Sequence, residues 1–142
     1  MNELENHSRI MSIDYGFKRV GIALTDPLKK FAYPYKTLTN DKSLINNIIH
    51  LINEMNVELV IVGIPGDYQK NPNSIFPKIL EFKNNLMEKI NIEVMFWDED
   101  YSSKIAYQKI LESVPKKKQR RNKELIDMHS AAVILSEYLQ QL

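Results

Sequence analysis

Arg9-Ile-Met-Ser-Ile-Asp14-Tyr-Gly16-Phe-Lys18-Arg19-Val-Gly21-Ile-Ala-Leu24-Thr-Asp26 is the stretch whose reading decides the fold. Arg9 to Ile13 is a short, largely apolar run leading to Asp14. Arg19 to Leu24 alternates around small and apolar residues. Between them, Asp14-Tyr15-Gly16-Phe17-Lys18 is turn-like and contains a glycine, so the pair reads as a β-hairpin. Phe31 to Leu38 follows as a third strand, and Pro34 within it cannot donate to a ladder, which places that strand at an edge.

Beyond the hairpin the pattern changes period. Leu44, Ile45, Ile48, Ile49, Ile52 and Met55 carry the spacing of an amphipathic helix over Asp41 to Asn56, with Asn40 or Asp41 as N-cap. Leu59 to Val62 is compact and rich in β-branched residues and runs into Gly63-Ile64-Pro65-Gly66, as a central strand covered on both faces would. A second helix is expected from about Ile75 to Lys89, a strand over Ile92 to Trp97, a helix over Ser102 to Ser113 and a closing helix over Glu124 to Leu142. Early strands followed by βα alternation imply an α/β domain, a mixed sheet with helices on its faces.

The chain's 142 residues fit a single domain, with 1–8 as a flexible tail. With 44% hydrophobic and 26% charged residues the composition is that of an ordinary globular protein, not a disordered one. The absence of Cys excludes disulfides and thiolate chemistry. No apolar run reaches the roughly 18 residues of a membrane span, so no membrane partner is expected and a reducing cytoplasm is the default location. The net charge of +1 hides a strong asymmetry. Lys116, Lys117, Lys118, Arg120, Arg121 and Lys123 put six positive charges into eight residues, which leaves 1 − 6 = −5 for the remainder. An acidic body with one basic segment points to local rather than diffuse contact with a polyanion.

Three acids stand where burial is expensive without a partner. Asp14 ends the first strand, Glu99 follows the last, and Asp127 opens the final helix among apolar residues. Ligands of α/β sheets gather at such carboxyl ends. Three converging carboxylates would have to protonate, spread apart or bind a cation, since two unit charges 4 Å apart repel by about 4 kcal/mol at an effective dielectric of 20. An all-oxygen ligand set favours magnesium or manganese over zinc. Two such ions would activate water and stabilise the leaving oxygen of a phosphodiester. Each acid also has a plain structural reading: Asp14 as a turn residue, Asp127 as a complement to the helix dipole in a first turn, Glu99 as one of a solvated trio with Asp98 and Asp100. Composition does not choose among them.

Ser12-Ile-Asp-Tyr-Gly-Phe-Lys-Arg-Val-Gly-Ile-Ala-Leu-Thr-Asp26 closely resembles the opening motif of the YqgF (RuvX) family, whose members carry the names Holliday-junction resolvase and pre-16S rRNA nuclease. Val60-Ile-Val-Gly-Ile-Pro65 is similar to the family's central strand and loop, and Trp97-Asp-Glu-Asp-Tyr-Ser-Ser103 to its Asp-Glu-Arg-x-[Thr/Ser]-[Thr/Ser] motif. Ile126-Asp-Met-His-Ser-Ala-Ala-Val-Ile-Leu135, after the basic segment, is similar to its closing motif. The resemblance implies an RNase H-like fold with a mixed five-stranded sheet and helices on both faces. It also implies a divalent-metal site (Mg2+ or Mn2+) in which Asp14, Glu99 and Asp127 are both catalytic residues and metal ligands. Two positions depart from the pattern. Asp100 replaces the usual Arg, which would grip phosphate where Asp repels it. His129 stands where the family is apolar, and reads as a packing or surface residue.

The expected partner is nucleic acid, structured RNA ahead of branched DNA, with Lys18, Arg19 and the cluster Lys116, Lys117, Lys118, Arg120, Arg121 and Lys123 as phosphate contacts. Following the family, the reaction is 5′-end processing of precursor 16S rRNA. The alternatives are a Holliday-junction resolvase, a non-catalytic RNA-binding ribosome-assembly factor, and a kinase-like nucleotide fold, which the chain length disfavours. A monomer or weak dimer is expected, because no coiled-coil seam is present.

Overall fold

The computed structural model describes residues 8–66, 70–71, 73–98 and 116–142, with side chains from 123 onward in the last segment. Residues 1–7 of the expected tail, Glu99, Asp100, the helix over Ser102 to Ser113, and the side chains of Lys116, Lys117, Lys118, Arg120 and Arg121 lie outside the described residues. Eight elements follow in order: β1 (Arg9–Tyr15), β2 (Arg19–Thr25), β3 (Ala32–Thr39), α1 (Leu44–Glu54), β4 (Val57–Ile64), α2 (Phe76–Met87), β5 (Glu93–Asp98) and α3 (Lys116–Gln140).

The five strands form one sheet in the order β3-β2-β1-β4-β5. The hairpin is antiparallel, with Asp14 opposite Gly21 and Tyr15 opposite Val20. Its tip is tight, because a Cβ on Gly16 would stand 2.6 Å from the Arg19 carbonyl oxygen. Asn40 pins it from the side, its Nδ2 donating to the Gly16 carbonyl at 2.8 Å. β3 pairs antiparallel with β2 at the edge, as Pro34 requires. The ladder slips there: Ile22 faces Lys36 while Ala23 faces Pro34, so Tyr35 is the extra residue of a bulge. β4 joins β1 in parallel, and β5 joins β4 in parallel.

Strand alternation sorts the side chains between two clusters. Met11 and Ile13 of β1, Val20, Ile22 and Leu24 of β2, Val60, Val62 and Ile64 of β4, and Val94 of β5 turn toward α1 and α2. There they meet Ile48, Ile52, Ile79, Phe82 and Leu86. Ile10, Ala23, Ile61, Met95 and Trp97 turn the other way, toward Ala131, Ala132, Ile134 and Leu135 of α3. Trp97 packs edge-on against Tyr138 and donates its indole N–H to Glu137 at 3.2 Å. Helices therefore cover both faces, as expected.

Two expectations change. α1 and α2 are shorter at both ends than their apolar periodicity predicts, and Asp41 caps the turn ahead of α1 by accepting the Ser43 N–H at 2.9 Å. The last helix begins at Lys116 rather than Glu124, so the basic segment is helical in backbone and continuous with the closing motif. Asp127 is the twelfth residue of α3 and not part of a first turn, which removes the dipole account of that residue.

The β2–β3 turn is organised by Asp26, whose carboxylate accepts the N–H groups of Phe31 at 2.7 Å, Lys30 at 2.9 Å and Leu28 at 3.2 Å. Those bonds, led by the one from Phe31, hold the Asp26 carboxyl below its ordinary value. Lys29 in the same turn has a left-handed backbone, φ 58°, and its ammonium pairs with Glu58 of β4. That ammonium, with Ser8, holds the Glu58 carboxyl below its ordinary value as well. Among the described residues, no helix is long and apolar enough to cross a membrane.

Candidate active site

The site begins with a glycine. A Cβ built on Gly21 would stand 2.0 Å from the carbonyl oxygen of Asp127, 2.4 Å from its carbonyl carbon and 3.1 Å from the Met128 nitrogen. No side chain fits there, so α3 lies with its backbone directly on β2 at Asp127. Gly21 is the register partner of Asp14. Residues opposed in a ladder point to the same face, with Cβ positions about 5 Å apart. The acid at the end of β1 and the acid in the middle of α3, 113 positions apart in sequence, are thereby brought to one patch of the sheet. Asp14 is 6% exposed there.

The helix is seated by three further contacts. Ser12, on the same face of β1 as Asp14, donates its hydroxyl to the carbonyl of Ala131, one turn beyond Asp127. Thr37 of β3 donates to the carbonyl of Glu124 at 2.6 Å, just before it. Arg19, on the same face of β2 as Gly21, donates its Nε–H to Asp127 Oδ2 at 2.7 Å. Ala23 and Ala131 keep the surrounding surfaces small. Ser130 is buried with no hydrogen-bond partner for its hydroxyl among the described residues.

Parallel strand ends frame the other side of the patch. Ile13 of β1 is level with Val62 of β4, and Gly63 of β4 is level with Trp97 of β5. β4 thus contributes a glycine between the end of β1 and the end of β5. β1 and β5 are separated by β4 alone, about 10 Å at two inter-strand spacings. β5 ends at Asp98, opposite Ile64. Glu99, the third acid expected here, lies outside the described residues.

Of the expected residues, the structure brings together Asp14, Asp127 and Arg19. Lys18 is exposed at the hairpin tip, and Lys123 is exposed one turn ahead of Asp127. His129 is also exposed. Sequence reasoning passed over Gly21 and Ser12. Their signal was present in the alternation Ser12, Asp14 and Gly21, Ala23: small or polar residues at every second position of strands otherwise filled with Ile, Val and Leu. Among the described residues, no three acidic or histidine side chains form a metal-holding group. The two carboxylates present offer only hard oxygen donors, the donor type that a hard divalent cation takes.

A mixed five-stranded sheet with this order and helices on both faces defines the RNase H-like class. The model of the RuvX family, described as Holliday junction resolvase, matches residues 8–141, and this chain belongs to that family. A relative from Phocaeicola vulgatus, named "Putative pre-16S rRNA nuclease", is 40% identical over 134 residues, covering 94% of this chain and 96% of the relative. One of the same name from Amoebophilus asiaticus is 39% identical over 132 residues, covering 92% and 93%. In structure, the chain is similar to the fowlpox virus resolvase solved with Holliday junction DNA, with a TM-score of 0.56, 19% identity, and 94% and 97% of the two chains covered. It is likewise similar to Thermus thermophilus RuvC solved with a Holliday junction substrate, with a TM-score of 0.57, 11% identity, and 94% of each chain covered. At these identities the structural likeness concerns the fold.

Proposed function

We propose that this protein is a divalent-metal-dependent nuclease that hydrolyses phosphodiester bonds in structured nucleic acid, with the 5′ extension of precursor 16S rRNA as its substrate. The observation that carries the reading is the seating of Asp127 on Gly21, opposite Asp14. That contact puts two carboxylates on one face at the carboxyl end of the parallel strands, the place where α/β sheets bind ligands. Family membership and the names of the relatives support the reaction and the RNA substrate.

In this reading Asp14, Glu99 and Asp127 hold Mg2+ or Mn2+. When bound, the metal supplies positive charge at the phosphoryl oxygens and lowers the cost of ionising the attacking water. Asp14, buried on a central strand, fixes the position from which the other ligands are measured. Asp127 approaches from α3, and Glu99, which lies outside the described residues, is assigned as the third ligand on its place in the sequence. The exposed Lys18 and Lys123 flank the patch, and the basic turns of α3 lead the phosphate backbone toward Asp127.

Precursor 16S rRNA and a four-way DNA junction, each incubated with Mg2+ and wild type or Asp14→Asn, test the proposal. Cleavage of the RNA by wild type, and a loss of at least about a thousandfold in the variant (on the order of 4 kcal/mol of transition-state stabilisation), is expected. Cleavage that survives in Asp14→Asn, or RNA binding without turnover in any metal, overturns it. Preferential cleavage of the junction reassigns the substrate.

A further inference from the structure

Of the two acids on this patch, Asp127 is ion-paired with an arginine of the same chain. Arg19 lies two residues before Gly21, on the same face of β2, and is the diagonal neighbour of Asp14 in the hairpin ladder. Its Nε–H reaches Asp127 Oδ2 at 2.7 Å, linking residues 108 positions apart. The two side chains are 34% and 23% exposed, so the pair sits at the mouth of the patch rather than beneath it. A guanidinium at that depth can leave its partner without first opening a packed core.

The pair is one of several contacts that seat α3. The backbone of Asp127 already lies on Gly21, Ser12 holds the carbonyl of Ala131, Thr37 holds that of Glu124, and an apolar cluster fixes the following turns. A partly exposed ion pair adds little to such a framework. Its distinguishing property is its location on a carboxylate that a dication would use.

We propose that Arg19 is the resident counter-ion of the carboxylate site, holding Asp127 in place in the metal-free protein and competing with the divalent ion for it. The inference rests on the reading of Asp127 as a metal ligand. A cation of charge +2 repels a guanidinium of charge +1 on the same carboxylate, so each weakens the binding of the other. Arg19 thus sets the metal concentration at which the site loads.

Mn2+ titration of the full chain without nucleic acid, followed by calorimetry, tests this in wild type, Arg19→Gln and Arg19→Lys, together with thermal unfolding in EDTA. The expected result is Mn2+ binding about tenfold tighter in Arg19→Gln (1.4 kcal/mol) and a lower unfolding temperature in EDTA that Mn2+ restores. Arg19→Lys, which keeps the charge without the fork, is expected between the two, and serves in place of Arg19→Gln if that variant does not fold. A role confined to bracing the helix would lower stability and leave Mn2+ affinity unchanged or weaker, and that result overturns the inference. Asp127→Asn separates the two levels. If wild type binds Mn2+ through Asp127 and the Arg19 variants do not alter it, only the counter-ion role fails. If wild type binds no Mn2+ at all, the metal reading fails and takes this one with it.

Discussion

The two faces of the sheet are made from the same strands and do opposite things. Toward α1 and α2, the strands present Met11, Ile13, Val20, Ile22, Leu24, Val60 and Val62, all fully buried. Toward α3, β1 and β2 present Ser12, Asp14, Gly21 and Ala23 around Asp127, while Ile10 and Ile61 pack on the later turns of the helix. Large aliphatic side chains keep α1 and α2 at a distance and supply the hydrophobic stabilisation. On the other face the side chains are cut back, α3 descends until its backbone meets β2, and the space that remains holds carboxylates and an arginine. One face stabilises and the other positions, and β1 and β2 serve both because their side chains alternate with a period of two.

That division can be broken at its sharpest point. Gly21→Ala forces the Asp127 carbonyl away from β2, since backbone cannot yield as a flexible side chain does. A loss of about 3 kcal/mol is expected. Cleavage per folded molecule should fall by about a hundredfold, because a displacement of one ångström misaligns a ligand. Leu86→Ala, in the opposite cluster, should lose a comparable 2–5 kcal/mol, roughly, through the cavity it leaves, with the rate per folded molecule unchanged. Chemical denaturation read beside single-turnover cleavage separates the two outcomes. Equal losses of activity in both would mean that the faces are not distinct.

Asp26 lies in the turn that leads from β2 to β3, away from the α3 patch. Asp26→Ala should cost about 1 kcal/mol at neutral pH, the worth of a capping side chain. Because the folded carboxyl titrates below its ordinary value of 3.8, its contribution is complete above that pH and is lost as pH falls through the lower, folded value. Wild type and variant should therefore converge in acid. The smallest effect is expected at Ser130, whose buried hydroxyl has no partner among the described residues. Ser130→Ala should change stability by no more than about 1 kcal/mol, in the stabilising direction, since it removes an unmet desolvation cost. A large loss would show that the hydroxyl serves the patch.

Much of this was legible in the chain. The hairpin, the edge position of the strand with Pro34, the apolar runs of β4 and β5, and the periodic faces of α1 and α2 are local patterns, and local patterns are written in consecutive residues. Asp14 and Asp127 could be singled out as acids in apolar surroundings, but each had an equally good plain reading. The start of α3 is not legible in the sequence, because a run of like charges reads as a loop when its helical continuation and its docking surface are not in view. Arg19 reads from the sequence as a phosphate contact, and its ion pair with Asp127, 108 positions away, is visible only in the fold.

By itself, then, the sequence determined the elements, the two-sided patterning of the strands and the family to which the chain belongs, because these depend on composition and spacing over tens of residues. Only the tertiary structure decided that Asp127 lies over Gly21, that Asp14 is opposite it, and that Arg19 joins them. Those facts depend on how closely one helix can approach one strand, and the missing side chain that permits the approach acquires meaning only when its neighbour is 106 positions away.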